Sequence, residues 1–264
     1  MTDTWDLRDI SWTHSAGSVA SDGVFLKSII EDRGVKYYLK MSAYDSYRGI
    51  FGHEAVNELI AYRLGKLLGF PVPFCTLRKA LVYLDGRELE TYISVAPSFK
   101  SVESRETLSR FYNANRLSAN ESPLDLCKRF SWTDDIYRMF IFDFLIINRD
   151  RHGANLEVFK NGGALKLSPF FDNGVSFVFS YTEEADLSSF NVLGDLPVNN
   201  FIGTRSLREN LKFIDRRLYF NELRSSDRMK LFEGLEGILP DGHLFVIWEI
   251  IWRRWDYVKD FRFV

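Results

Sequence analysis

Alternation of apolar and polar residues dominates the first hundred positions, and a helical apolar repeat dominates most of the rest. Val24 to Ile30 and Val35 to Met41 read as two strands joined by a turn at Glu31-Asp32-Arg33-Gly34, since side chains that alternate put one set on each face of a sheet. Lys79 to Leu84 and Glu88 to Val95 form a second hairpin around Asp85-Gly86. Between these hairpins the period changes. Val56, Leu59, Ile60, Leu64, Leu67 and Leu68 make a helical stripe within His53 to Leu68, and Gly69 is placed to end it in the left-handed conformation. From about residue 102 the chain is predicted to be helical, apart from one hairpin. In that hairpin Leu156 to Lys160 and Ala164 to Ser168 flank Asn161-Gly162-Gly163, residues that tolerate positive φ. Ile141 to Ile147 is an apolar run interrupted only by Asp143, expected to be a buried helix ending near Asn148. Leu244, Trp248, Ile251, Trp252, Trp255 and Val258 mark one face of a C-terminal helix and read as core packing.

Strands with one helix first and helices later predict an α+β, bilobal architecture. The strand-rich N-lobe is placed at 1–97 and the mainly helical C-lobe at 98–264, with Ser94-Val-Ala-Pro97-Ser98 as the link. Clefts between lobes are favoured ligand sites. The composition suits this reading: 46% of 264 residues are hydrophobic, enough for a substantial core. A net charge of −2 offers no global basic field, so no direct nucleic-acid binding is expected. Cys75 and Cys127 form neither a disulfide framework nor a metal knuckle, which fits a reducing cytoplasm. The N-terminus lacks the features of a signal peptide, and no run approaches the ~18 apolar residues of a membrane span.

The chemistry concentrates in Asn148-Arg-Asp-Arg-His-Gly-Ala-Asn155 and Phe171-Asp172-Asn173-Gly174. A short Asp-x-x-x-x-Asn pattern alone more often caps turns. Here Asn155 precedes the first strand of the 156–168 hairpin and Asp172 follows the second, and paired strands lie roughly 4.8 Å apart, so the two side chains approach one another. Two oxygen ligands with a carboxylate just upstream, Asp150, suit Mg²⁺ and phosphoryl transfer from ATP. Such transfer also needs positive charge on the phosphates. Lys40 sits toward the end of its strand on the face shared with Lys36 and Tyr38, and Glu54 or Glu58, one helical turn apart, could pair with it. Gly17 and Ser18 lie in a Gly/Ser-containing loop before the first strand that could admit phosphates to backbone N–H groups, although it matches neither the G-x-G-x-x-G nor the Walker pattern well. The histidines at 14, 53, 152 and 243 give no zinc-binding spacing, and His152 is expected to shape the loop beside Asp150 by hydrogen bonding. Arg149 and Arg151 read as phosphate contacts, contacts to an acidic partner, or solvated loop charges.

These blocks, together with Asn57-Glu58-Leu-Ile-Ala-Tyr-Arg-Leu-Gly-Lys-Leu-Leu-Gly69-Phe-Pro-Val-Pro73, resemble HipA-like serine/threonine kinases, bacterial toxins and relatives on a divergent protein-kinase fold distantly similar to phosphoinositide kinases. The resemblance covers roughly residues 15 to 255. It implies that Asp150 is the catalytic base, that Asn155 and Asp172 hold Mg²⁺, and that Lys40 binds ATP phosphates with Glu58 as its partner. It further implies an adenine-binding linker near Ile93 to Ala96, with Ile93 and Val95 at the nucleotide. The expected activity is transfer of the γ-phosphate to Ser or Thr of a protein substrate. Autophosphorylation is expected at Ser188, Ser189, Thr204 or Ser206 in an activation-loop-like segment, or at Ser15, Ser18 or Ser21. An antitoxin-type partner is a further implication. The chain is short beside the HipA toxins and is expected to lack their extra N-terminal subdomain, which counts against the same antitoxin–DNA assembly. Phosphoinositide kinases and aminoglycoside-type phosphotransferases share elements of the pattern, so the acceptor stays open.

Overall fold

In the computed structural model, which describes residues 4–14, 25–99 and 104–263, short strands β1 (Trp5–Leu7) and β2 (Thr13–His14) precede two tight hairpins. β3 (Leu26–Asp32) turns into β4 (Val35–Met41) through Arg33 (φ 48°) and Gly34 (φ 77°). The chain then forms β5 (Tyr44–Asp45), β6 (Gly49–Ile50) and helix α1 (Glu54–Leu68). β7 (Thr76–Leu84) turns into β8 (Arg87–Pro97) through Asp85 (φ 49°) and Gly86 (φ 80°). Positive φ at both central residues gives the turn a twist that matches the paired strands, so each hairpin register is fixed locally. The sheet has the order β1-β7-β8-β4-β3-β2, with β1 parallel to β7 and the other pairs antiparallel. Leu39, Met41, Ala80, Val82, Ile93 and Val95 fill one side of it.

The remaining elements are β9 (Ser104–Thr107), α2 (Leu108–Asn115), α3 (Pro123–Arg129), α4 (Thr133–Ile146), β10 (Asp150–Arg151), β11 (Glu157–Asn161), β12 (Ala164–Leu167), α5 (Glu184–Leu187), β13 (Asn199–Asn200), α6 (Leu207–Leu211), α7 (Asp227–Phe232) and α8 (Asp241–Val258). α4 is the axis of this half: every residue from Met139 to Ile146 is buried, Asp143 included. α1 belongs to the same core, its Val56, Leu59, Ile60, Leu64 and Leu68 lying against the helical half while the helix also touches β8 and β7. It therefore joins the two halves. Its close fit depends on Gly65, where a Cβ would stand 2.3 Å from a methyl of Val72, and Gly69 ends it in the left-handed conformation at φ 75°.

The expectation of helix throughout the second part, apart from one hairpin, needs correction. β9 adds to the predicted hairpin, giving a three-stranded sheet β12-β11-β9, and β10 pairs in parallel with β13. Neither shows in the sequence pattern: Ser104-Arg-Glu-Thr is polar throughout, and a two-residue strand has no period. On the C-terminal helix the apolar face is as predicted, but His243 and Arg254 are buried within it.

Candidate active site

α4 ends when Ile147 adopts the left-handed conformation (φ 51°), and the loop that follows is held by its own side chains. The Asn148 amide donates to Asp143 Oδ1 (3.1 Å), and Asn148 Oδ1 accepts from the Asp150 backbone N–H (3.0 Å). The Asn155 amide donates to the Asp150 carbonyl (2.8 Å), closing the loop and leaving the Asn155 side-chain oxygen as an available ligand. His152 Nδ1 accepts from the Ala154 N–H (3.1 Å), the loop-shaping role expected of it, and its Nε2 stands 3.7 Å from Asp150 Oδ2. Gly153 has no room for a side chain: a Cβ would meet Ser109 at 2.7 Å and Phe201 at 3.0 Å.

Asp150 Oδ1 accepts from Asn199 Nδ2 (3.1 Å), a contact that the β10–β13 pairing creates. Burial raises the Asp150 pKa above the ordinary carboxylate value, against the lowering influence of His152 and Asn199. Asp172 lies in the left-handed region at φ 59°, which Asp tolerates better than most residues. Burial also opposes ionisation of Asp172, but Lys40 and Lys27 outweigh it and hold this carboxyl far below the ordinary range.

Lys40 Nζ pairs with Glu58 and lies 3.0 Å from Asp172 Oδ1. The structure thus chooses between the two acids of α1. Glu54, at the helix start, instead accepts from the Ala43 N–H (3.1 Å), and burial pushes its pKa up to about 7. Burial acts against the charge of Lys40, yet Asp172 and Glu58 together raise its pKa above the usual lysine value. Asn57, beside Glu58, donates to the carbonyls of Gly174 (3.0 Å) and Ser176 (2.9 Å), tying α1 to the segment that carries Asp172.

Lys40, Glu58, Asp150, Asn155 and Asp172 line one open cavity of about 680 Å³. A second cavity of about 850 Å³ adjoins it, sharing Lys40, Glu58 and Asp172 and lined on its far side by apolar groups including Val72, Phe74, Ala96, Phe99 and Phe171. Ile93 and Val95, expected at the nucleotide, are corrected here. Their side chains are 0% and 2% exposed in the sheet core, and the alternation of β8 puts Ser94 and Ala96 on the cavity side instead. Gly17, Ser18, Ser15 and Ser21 lie outside the described residues. Of the anticipated phosphorylation sites, Ser188 and Ser189 are exposed. The Thr204 hydroxyl bonds Asn210 Oδ1 (2.9 Å), and Ser206 caps α6 and bonds Asp195.

Two contributors, Lys27 and Asn199, escaped the sequence reading, and a third, Arg151, has a different role from those expected. Lys27 faces Asp172 from β3, with Nζ to Oδ2 at 2.9 Å; counting back from the Arg33-Gly34 turn places it opposite Lys40, so that signal was present. Asn199 had none, because its contact spans 49 positions. Arg151 is corrected from a loop or phosphate-contacting charge to a buried clamp. Its guanidinium bonds Asp143 (2.7 Å), the Phe171 carbonyl (2.7 Å) and Asn173 Oδ1 (2.8 Å). Arg149 lies with its guanidinium 5.5 Å from the Phe179 ring centre.

An ionised carboxylate and an oriented amide oxygen are hard oxygen donors of the kind Mg²⁺ takes. Among the described residues no cluster of three His, Cys, Asp or Glu side chains could form an all-protein cage, and Mg²⁺ usually completes its shell with substrate phosphates and water. The residues present fit that ion.

A strand-rich half, a helical half and this cleft define a bilobal, protein-kinase-like fold. A solved structure shares it: that of CtkA, a proinflammatory kinase of Helicobacter pylori, superposes with a TM-score of 0.56 at 12% identity, covering 98% of this chain and 96% of that one. HipA of Shewanella oneidensis, solved in a toxin–antitoxin complex with HipB and operator DNA, gives a TM-score of 0.47 at 15% identity over 92% of this chain and 65% of its own. A mutant of the PAN3 pseudokinase of Neurospora crassa gives 0.36 at 11% identity over 90% of this chain and 54% of its own. No family model matches the sequence, and no curated protein matches it. No helix among the described residues is long and apolar enough to cross a membrane.

Proposed function

We propose that the protein is an ATP- and Mg²⁺-dependent kinase that transfers the γ-phosphate to Ser or Thr of a protein substrate. The carrying observation is the convergence of Lys40–Glu58 and Asp150, Asn155 and Asp172 on one cavity beside an apolar one. In this reading residues 1–97 and 98–264 form the two lobes. The apolar cavity takes the adenine, Lys40 sits on the phosphates with Glu58 fixing its position, and Asn155 and Asp172 hold Mg²⁺. That ion, when bound, neutralises charge developing on the transferred phosphoryl group. Asp150, oriented by Asn199, accepts the proton of the attacking hydroxyl, and a raised pKa suits a group that must take a proton in the reaction.

An antitoxin-type partner belongs to the same reading only through the HipA-like resemblance. A non-catalytic nucleotide-binding module is the competing reading, and one observation favours it: both oxygens of Asp172 are engaged by lysines. Radiolabelled ATP incubated with protein, lipid and aminoglycoside acceptors separates these readings. The expected outcome is label on protein Ser/Thr, with the rate of Asp150→Asn lower by about 10²–10⁴-fold. Full activity in Asp150→Asn would sink the assignment, and ATP binding without transfer to any acceptor would favour the binding module.

A further inference from the structure

Lys27 and Lys40 are directly opposed in the β3–β4 register, so their side chains leave the same face of the sheet at neighbouring points. Their ammonium groups divide one carboxylate between them: Lys40 takes Asp172 Oδ1 at 3.0 Å and Lys27 takes Oδ2 at 2.9 Å. The two lysines are not equivalent. Lys40 is also paired with Glu58, whose side chain is only 10% exposed, whereas Asp172 is the single acid paired with Lys27 among the described residues. Lys27 is also the more exposed of the two, at 33% against 23% for the side chain.

With an ammonium group against each oxygen of Asp172, a divalent cation reaching this carboxylate meets two positive charges close by, and that repulsion favours the departure of one of them. The displaced group is then left near a dication with no acid to answer its charge. A polyphosphate entering the same cavity removes that penalty, because it offers the ammonium new oxygens. Lys40 is tethered by Glu58, so the group free to move is Lys27. We infer that Lys27 is a second phosphate-binding residue that works by exchange. It guards Asp172 in the empty protein and passes to the nucleotide phosphates when the metal takes Asp172, so that metal and nucleotide each require the other. This inference rests on the nucleotide-binding reading above.

Interdependence of two ligands is measurable as a ratio of affinities, commonly about 5- to 150-fold. The full chain is titrated with Mn²⁺, followed by its paramagnetic resonance signal, alone and with a non-hydrolysable ATP analogue. Lys27→Met and Lys27→Arg are treated alike, and thermal melting confirms that each folds. In the wild type Mn²⁺ alone should bind weakly and the analogue should tighten it. Lys27→Met should bind Mn²⁺ alone more tightly by about tenfold, bind the analogue more weakly, and so lose most of the coupling. Lys27→Arg, which keeps the charge, should stay near the wild type. A merely structural role for Lys27 would weaken both ligands together or neither. Wild-type binding of both ligands with unchanged constants in Lys27→Met, or a weakened affinity for Mn²⁺ alone, overturns the inference and leaves the kinase reading standing. Failure of the wild type to bind either ligand overturns both.

Discussion

Arg151 and Asp143, with side chains 1% and 0% exposed, form an ion pair that water does not reach. The remaining guanidinium donors go to the Phe171 carbonyl and Asn173, so one side chain bolts the loop bearing Asp150 and Asn155 to the segment bearing Asp172. Removing one partner of a buried pair strands the other charge. Arg151→Met should therefore destabilise the protein by about 3–5 kcal/mol in urea unfolding. Arg151→Met with Asp143→Leu, which removes both charges, should recover much of that loss. If the single variant unfolds at the wild-type midpoint, the clamp contributes nothing. The sequence marked Asp143 only as an interruption in an apolar run. Its partner could not be read there, because burial of a charge depends on what covers it. Asp150, Asn155 and Asp172 were legible because each is fixed by its own loop or by the hairpin between them.

At the scale of elements, the start of α1 carries two titrating neighbours with opposite habits. Burial, with the nearby His243 ring, lowers the His53 pKa to about 4, and burial raises Glu54 to about 7. His53 is depressed in the folded state, so acid favours unfolding and its contribution to stability grows as pH rises from 4 to about 6.5. Glu54 is raised, so its contribution is complete below about 4.5 and is lost as pH rises toward 7. The two trends oppose each other across nearly the same window. Glu54→Gln should leave a protein whose stability climbs between pH 4 and 6.5, and His53→Gln one whose stability falls between pH 4.5 and 7, each by on the order of 3 kcal/mol. Unfolding curves at several pH values decide it, and parallel profiles for both variants would refute the pairing. The helix itself was plain in its stripe and in Gly69. Spacing left the partner of Lys40 open between Glu54 and Glu58; the resemblance implied Glu58, and the structure pairs Lys40 with it while the Ala43 N–H takes Glu54. Helical spacing puts both acids on one face and cannot rank them.

For the whole molecule, the cleft joins groups from both halves: Lys27 and Lys40 from the sheet, Glu58 from α1, and Asp150, Asn155 and Asp172 from the helical side. A ligand that bridges them stabilises the folded chain by mass action, by about 2.7 kcal/mol at a concentration 100-fold above its dissociation constant. Mg·ATP should accordingly raise the melting temperature by several degrees, and EDTA should abolish the shift; equal shifts with and without EDTA would exclude a metal-dependent site. By itself the sequence determined the hairpins, the stripe of α1, the buried α4 and the approach of Asp150, Asn155 and Asp172 to one another, because periodicity, turn residues and hairpin closure act over a few positions. Only the tertiary structure decided that Ser94 and Ala96 rather than Ile93 and Val95 face the cavity, that Asn199 holds Asp150, that Arg151 is buried, and that two lysines share Asp172. Each of these depends on which side of an element is covered by residues distant in the chain, a quantity that local pattern does not encode.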